Sequence, residues 1–458
     1  MEKKTLQACF ILIMGISISA IMVLAFPKLY HLWDVPEFFR WSKIWDDGWN
    51  AIYVNCVECN YPIVGMFSTA GLIRFLRLAD TPDPALSFRL ILSVVDGLNV
   101  LLIYLLLKEL SVKDAAVKAG VIGLLVSSWA GGALWGQIDN VSQFFLLLTL
   151  LWMVKYHRSM RINFFLFLGI TSVLMAFMVL TKQLIVFSFF SLELLLLATI
   201  FLRRKWFHAI GYSLFHFAVF LVFVFGWDLF LDPVNGYRSH LQLIWGERST
   251  HGEILSANGL NLWNLLPREM NSSSASPFPL FTGTAFEKII TPVNIGLFLF
   301  LVLAALISVS TLLKTRKPNT ADNRLLNREA LLNFILHLAV INLIFNVVLT
   351  GTHERYLYHF YPFILIAFVG LAELDERWSN FPLPVLMLGS TLYGAFVLGV
   401  LWGMFAFRNY PVHMALAVFH AALLGALIVV SLKYQGFAAN LRDLAGRLKR
   451  PRPFLQRE

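Results

Sequence analysis

Charge is scarce in this chain. Only 14% of its 458 residues are Asp, Glu, Lys or Arg, against roughly 25% in soluble globular proteins. So few polar groups cannot cover a surface in water. With 58% hydrophobic residues and a mean hydropathy of +0.70, the solvent must be a bilayer. Cysteine is scarce too. Cys9 lies in the first apolar run and reads as a small core residue, while Cys56 and Cys59 form a C-x-x-C in a loop. A structural zinc takes about four ligands and no second pair exists, so zinc is disfavoured and a local disulfide on an oxidising face stays open. The net charge of +10 comes without a basic–aromatic groove pattern, which argues against nucleic acid. No small-residue cleavage site follows the apolar run behind Lys3 and Lys4, so that run reads as a retained signal anchor. Neither an internal repeat nor an inverted pair of interrupted helices of the transporter type is present.

What is present is a series of apolar runs. A spanning helix needs about 20 apolar residues. Runs near 7–26, 86–107, 116–134, 138–154, 162–181, 183–202, 207–231, 290–313, 330–350, 357–373, 382–405 and 411–432 meet that need. A shorter run, 62–78, ends in Arg74 and Arg77. Cytoplasmic loops collect Lys and Arg. If 62–78 does not cross, one side gathers Lys3/Lys4, Lys108/Lys113/Lys118, Lys155/Arg158/Arg161, Arg203/Arg204/Lys205, Lys314/Arg316/Lys317 and the basic tail 433–458. The expectation is an all-α polytopic membrane protein forming one domain over 1–458. It has twelve spans, a re-entrant or interfacial helix at 62–78, both termini cytoplasmic, and two long external loops at 27–85 and 232–289.

Against this apolar background a few polar motifs need a reason, and they fall on the external edge. Asp34 and Glu37, in Trp33-Asp34-Val35-Pro36-Glu37, are one helical turn apart and can point the same way. A partly desolvated carboxylate there could serve as a general base, or Asp34 could cap a helix. Asp46 and Asp47 read as solvated. Asn60-Tyr61-Pro62 opens the 62–78 helix, where Pro is structurally ordinary. Trp135-Gly136-Gln137-Ile138-Asp139-Asn140 carries more amide and carboxylate groups than a tight turn needs, and Trp135 could be a stacking face for a sugar. Lys182, in Thr181-Lys182-Gln183, could snorkel or meet a phosphate. Ser256-Ala257-Asn258 through Asn261-Leu262-Trp263 reads as a polar lip. His353-Glu354-Arg355 places three ionisable residues between two apolar helices, an unfavourable arrangement unless they are paired or face water. Arg suits phosphate geometry. Within the spans, Asp96, placed near Arg89, and Glu193 are intramembrane acids open to helix–helix bonding or to function.

In this order and on this face, the set resembles the GT-C superfamily of membrane glycosyltransferases. It is most similar to the GPI-mannosyltransferase-II-like family with its bacterial members and to the dolichyl-phosphate-glucose-dependent glucosyltransferases. The matching pieces are Asp34 with Trp41 seven residues on, Tyr61-Pro62, Asp96, Trp135-Gly136-Gln137-x-Asp139, Thr181-Lys182-Gln183, Ser256-Ala257-Asn258 through Asn261-x-Trp263, and His353-Glu354-Arg355-Tyr356. The chain departs from the pattern with Tyr-Pro-Ile for Tyr-Pro-Pro and with Lys-Gln for Lys-Pro-Gln. The resemblance implies an inverting transfer of a hexose, mannose or glucose, from a polyprenyl-phosphate donor to a lipid-linked or cell-surface glycan acceptor. It gives Asp34 as base with Glu37 as a second acid, and His353, Arg355 and Lys182 on the donor phosphate. Trp135, Gln137, Asp139, Asn258 and Tyr61 line the sugar and acceptor pocket. No cofactor or metal is expected, and a bacterial plasma membrane is favoured over the endoplasmic reticulum. A transporter or flippase of lipid-linked sugar intermediates is the alternative; it would need broken helices and polar residues through mid-bilayer.

Overall fold

The structure is a computed structural model. It describes the chain apart from residues 1–2, 49–50, 57–58, 160–161, 204–205, 232–252, 267–271, 316–325, 376–377, 379–382, 404–409, 441 and 443–458. Much of the 232–289 loop and most of the basic tail therefore lie outside the described residues.

The protein is an all-α polytopic membrane protein, save for one two-residue strand pair. Among the described residues, seven helices are long and apolar enough to cross a membrane, and four further apolar helices span 10–17 residues. The principal helices are α1 (Lys3–Ala25), α2 (Asp34–Ile44), α3 (Pro84–Glu109), α4 (Ala115–Leu124), α5 (Asp139–Ser159), α6 (Phe164–Val179), α7 (Val186–Arg203), α8 (Trp206–Phe225), α9 (Pro292–Thr315), α10 (Arg328–Val348), α11 (Phe360–Leu371), α12 (Leu383–Leu401) and α13 (Tyr410–Tyr434).

Each apolar run carries helix, but 116–134 is not one span. α4 stops at Leu124, Leu125 is extended, and short 3-10 and π turns follow through Leu134. The apolar pattern hid this break. Within these turns Gly132 is non-helical, with φ −95° and ψ −109°, and an added Cβ there would lie 2.6 Å from Asp96 Oδ1. Asp96 does not pair with Arg89. It accepts from Ser19 Oγ (2.6 Å), Asn140 Nδ2 (2.8 Å) and the Ala133 N–H (3.3 Å), tying α1, the turn and α5 together. Arg89 instead donates to the carbonyls of Phe26, Pro27, Leu29 and Ala133. The end of α1 would otherwise leave some of these unsatisfied in an apolar setting.

α10 is the bundle's centre, since every residue from 330 to 348 is buried, Asn333, His337, Asn342 and Asn346 included. α8 lies at the opposite extreme, with Phe207, Leu214 and Val222 all exposed. It is tied inward by His216, whose ring bridges Glu193 Oε1 of α7 and Ser172 Oγ of α6, both at 2.8 Å. Glu193 thus bonds helix to helix. α1 and α3 cross at Gly15 and Gly97. A Cβ on Gly97 would meet Ile16 Cγ1 at 2.4 Å and the Ile16 N at 2.8 Å. Small residues permit such close approach between membrane helices. We expect Gly97→Leu to destabilise the protein by about 1–3 kcal/mol, read as a lowered thermal midpoint in detergent. Gly169→Leu, with nothing within 4 Å of its Cβ position, serves as the tolerated control. Equal midpoints for the two would refute the packing role.

Outside the bundle, α2 buries Val35, Phe38, Trp41 and Ser42 on one face. Helical turns follow from 63 to 78, beginning directly after Pro62. Asp46 is not merely solvated: Arg74 Nε and Arg77 Nη2 reach its two oxygens at 2.9 Å each, and their guanidinium groups hold its carboxyl below the usual range. Cys56 and Cys59 are joined in a disulfide and buried. Just beyond it, Tyr53 Oη donates to the Tyr61 carbonyl at 2.9 Å, and Gln183 Nε2 donates to that of Asn60.

Candidate active site

Four segments converge at one end of the bundle. The first is the turn into α2. Its Asp34 carboxylate collects three neighbours on a single oxygen: Trp135 Nε1 donates to Oδ2 at 2.7 Å, His31 Nδ1 stands at 3.0 Å, and Arg355 Nη1 at 3.6 Å. Oδ1 has no hydrogen-bond partner among the described residues. Burial opposes ionisation here, but the Arg355 charge, the His31 contact and the Trp135 N–H outweigh it and hold the Asp34 carboxyl well below the usual carboxylate range.

The second segment is the turn from Trp135 to Asn140. Gly136 sits at φ +81°, and a Cβ there would lie 2.4 Å from Val35, so only glycine lets this turn reach α2. Each polar residue then has its own partner. Gln137 bonds Tyr61 Oη within 2.8–3.0 Å, Asp139 Oδ1 accepts from Lys182 Nζ at 2.7 Å, and Asn140 holds Asp96. Trp135 is fully buried, its ring stacked on His31 at 4.6 Å with the Arg355 guanidinium 5.8 Å from it. It holds the acid through its N–H.

The third segment is the break between α6 and α7. The Gly65 N–H donates to the Leu180 carbonyl at 3.0 Å, and a Cβ on Gly65 would lie 2.1 Å from the Thr181 oxygen. This docks the helix after Pro62 onto the break and brings the Tyr61 ring 5.8 Å from Lys182 Nζ. The Lys182–Asp139 pair is buried, with side chains 4% and 3% exposed. Burial and the nearby Arg355 push the Lys182 ammonium down from its ordinary range, against the pull of Asp139.

The fourth is the loop before α11. A parallel pair of strands, β1 (Ser256–Ala257) and β2 (Thr352–His353), sets Ser256 opposite Thr352 and Ala257 opposite His353. Asn261 Nδ2 bonds Thr352 Oγ1 at 2.9 Å and Trp263 Nε1 bonds the Val348 carbonyl at 2.8 Å, so this stretch clamps the 349–353 turn. Arg355 is thereby fixed between Asp34, Asp139 (Nε to Oδ2, 3.5 Å) and Glu354 (Nη1 to Oε1, 3.2 Å). Two of these contacts exceed hydrogen-bond length; Arg355 Nε and Asp139 Oδ2 are both buried without a hydrogen-bond partner among the described residues. Burial would lower the Arg355 guanidinium, yet the carboxylates of Asp34, Glu354 and Asp139 raise it. Burial pushes Glu354 up, against Arg355.

Seven of the residues singled out in the sequence therefore meet: Asp34, Tyr61, Trp135, Gln137, Asp139, Lys182 and Arg355. His353 borders the group, with Nδ1 3.9 Å from Glu354 Oε2. Asn258, at φ +68°, is bridged to His353 and its Oδ1 is held by His413 Nε2 of α13. Glu37 is not brought in, because its carboxylate is held by Arg40 at 2.6 Å on the exposed side of α2. His31 and His413 were not singled out, and Glu354 was named only within the His353-Glu354-Arg355 run, without a role. Among the described residues no group of three or more His, Cys, Asp or Glu could hold a metal ion.

The structure is thus a helical membrane bundle with carboxylates, cations and amides gathered at one edge. Residues 74–227 match the family model described as dolichyl-phosphate-mannose-protein mannosyltransferase. The match supports the GT-C superfamily and a glycosyltransferase dependent on a polyprenyl-phosphate sugar. It points to neither of the two subfamilies that the motifs resemble. It includes Trp135, Gln137, Asp139 and Lys182 and excludes Asp34 and Arg355. No curated protein matches the chain.

Proposed function

We propose that the chain is an inverting glycosyltransferase that moves a hexose, mannose or glucose, from a polyprenyl-phosphate donor to a hydroxyl of a lipid-linked or cell-surface glycan. It works on the non-cytoplasmic face of a bacterial plasma membrane, with both termini cytoplasmic. The observation that carries this reading is Arg355. It is buried, ionised and only 9% exposed, and it stands 3.5 and 3.6 Å from two carboxylates without bonding either. Such a guanidinium keeps N–H groups for an arriving anion, and its planar fork suits a phosphodiester.

The donor phosphate binds Arg355 with Lys182 and His353 beside it. The added negative charge draws Arg355 away from Asp34 and frees that carboxylate to act. Asp34 Oδ1 takes the acceptor hydroxyl proton, the acceptor oxygen bonds the anomeric carbon, and the bond from that carbon to the phosphate oxygen breaks on the opposite face. Polyprenyl phosphate leaves with its charge held by Arg355. Gln137, Tyr61, Asp139, Trp135 and Asn258 shape the sugar and acceptor pocket. Glu37 takes no part in this scheme.

The break in the 115–134 segment is the one observation favouring the flippase alternative. Purified protein incubated with polyprenyl-phosphate mannose and glucose separates the two readings. Transfer or hydrolysis of one sugar, releasing polyprenyl phosphate, supports the enzyme. Lipid carried across a vesicle bilayer with its sugar intact supports the alternative.

A further inference from the structure

The sequence offers no reason to notice His31. It lies in the short stretch between α1 and α2. In the structure it is built into the acid's surroundings from three directions. Its backbone N–H donates to the Trp135 carbonyl at 3.1 Å. Its ring stacks on the Trp135 indole at 4.6 Å with an interplanar angle of 18°. Its Nδ1 stands 3.0 Å from Asp34 Oδ2. Arg89 fixes the preceding turn through the Pro27 and Leu29 carbonyls. The Asp34 backbone N–H donates to Nδ1 at 3.4 Å; the form that serves the carboxylate is the one with a hydrogen on Nδ1, which gives up that longer bond for the 3.0 Å contact to Oδ2.

Two stacked rings therefore face the same carboxylate oxygen, Trp135 Nε1 donating to it at 2.7 Å and His31 Nδ1 standing 3.0 Å away. With Oδ2 held by His31 and Trp135, the carboxylate cannot rotate and Oδ1 keeps its lone pairs for an incoming hydroxyl. We propose that His31 is a positioning residue for sugar transfer, which together with Trp135 locks Oδ2 of Asp34 and presents Oδ1 to the acceptor. This inference rests on Asp34 being the base. His31 touches neither donor nor acceptor in this scheme and acts through Asp34 alone. It keeps its place when the donor phosphate draws Arg355 away, so Asp34 stays oriented at the moment it must accept a proton.

The test compares His31→Leu, which fills the space without a donor, with His31→Asn, whose amide N–H can take the place of Nδ1–H. Misplacing a reacting group by about 1 Å lowers rate by roughly 10²-fold. His31→Leu should therefore lose about 10–100-fold in kcat with polyprenyl-phosphate mannose or glucose, whichever the wild type uses, while the donor KM stays within about twofold. His31→Asn should recover most of that loss. In an Asp34→Asn background, His31→Leu should cause little further loss, because the two act through one group. Thermal midpoints confirm that the variants are folded. Full activity in His31→Leu, or equal impairment in the Asn and Leu variants, overturns the positioning role. If Asp34→Asn keeps full transfer, the base assignment fails and His31 falls with it. An inactive Asp34→Asn beside an active His31→Leu removes only the inference about His31.

Discussion

Asp34→Asn should abolish sugar transfer, with a fall of about 10³-fold or more in kcat, while the protein still folds and inserts. General-base catalysis contributes about 10²–10⁴-fold, and no second carboxylate stands ready to substitute. Glu37 is engaged by Arg40, and Asp139 by Lys182. The substitution keeps an oxygen and a nitrogen where the carboxylate had two oxygens, so Trp135 and His31 retain a neighbour and the local packing survives. Donor binding should change little, because the phosphate is held by Arg355, Lys182 and His353. A steady-state assay separates these outcomes: kcat falls and the donor KM holds. Full activity in this variant would remove Asp34 from the chemistry.

Arg355→Gln should act on the other parameter. Removing a buried guanidinium opposite a phosphate costs about 2–5 kcal/mol, so the donor KM should rise by about 100-fold. It should also move the titration of Asp34. In the wild type burial raises the Asp34 carboxyl and the Arg355 charge is the first of the influences that lower it. Without Arg355 the largest lowering influence is gone and burial remains, so the carboxyl titrates at higher pH. The sign for stability follows. A depressed carboxyl stabilises the fold above its unfolded value of about 3.9 and loses that stabilisation as pH falls through the folded value. Arg355→Gln should weaken or remove this contribution, which thermal unfolding at a series of pH values will show. Unchanged donor KM together with an unchanged pH dependence would contradict the central place given to Arg355.

Much of this was legible in the sequence because an apolar chain leaves polar residues few bland reasons to exist. Hydropathy placed helices on all twelve apolar runs. It missed the break before Leu134, since Gly131 and Gly132 do not interrupt an apolar average, and the turn there is held by Asp96 from another helix. Asp34, Lys182, Arg355 and the Trp135 to Asn140 turn stood out as charge or amide groups at the edges of apolar runs, and the fold brings them together. The direction of Glu37 was ambiguous. One turn from Asp34, it could share a face with it, yet Arg40 lies three residues on, the ordinary spacing of a helical ion pair, and that contact wins. His31 and His413 depend on contacts made only once the chain is folded. His413 in particular reaches Asn258 from α13, 155 residues away. The one local trace of His31 is proximity, three residues from Asp34, while Glu354 was visible in the ionisable run with His353 and Arg355 but its bond to Arg355 was not.

The most direct test reconstitutes the purified protein in vesicles with polyprenyl-phosphate mannose or glucose labelled in the sugar, and follows free polyprenyl phosphate and labelled product together. Wild type should release polyprenyl phosphate with one of the two donors, and Asp34→Asn should release it about 10³-fold more slowly while still binding the donor. Labelled lipid crossing the bilayer with its sugar attached, in wild type and Asp34→Asn alike and without release of polyprenyl phosphate, would contradict the assignment of a transferase.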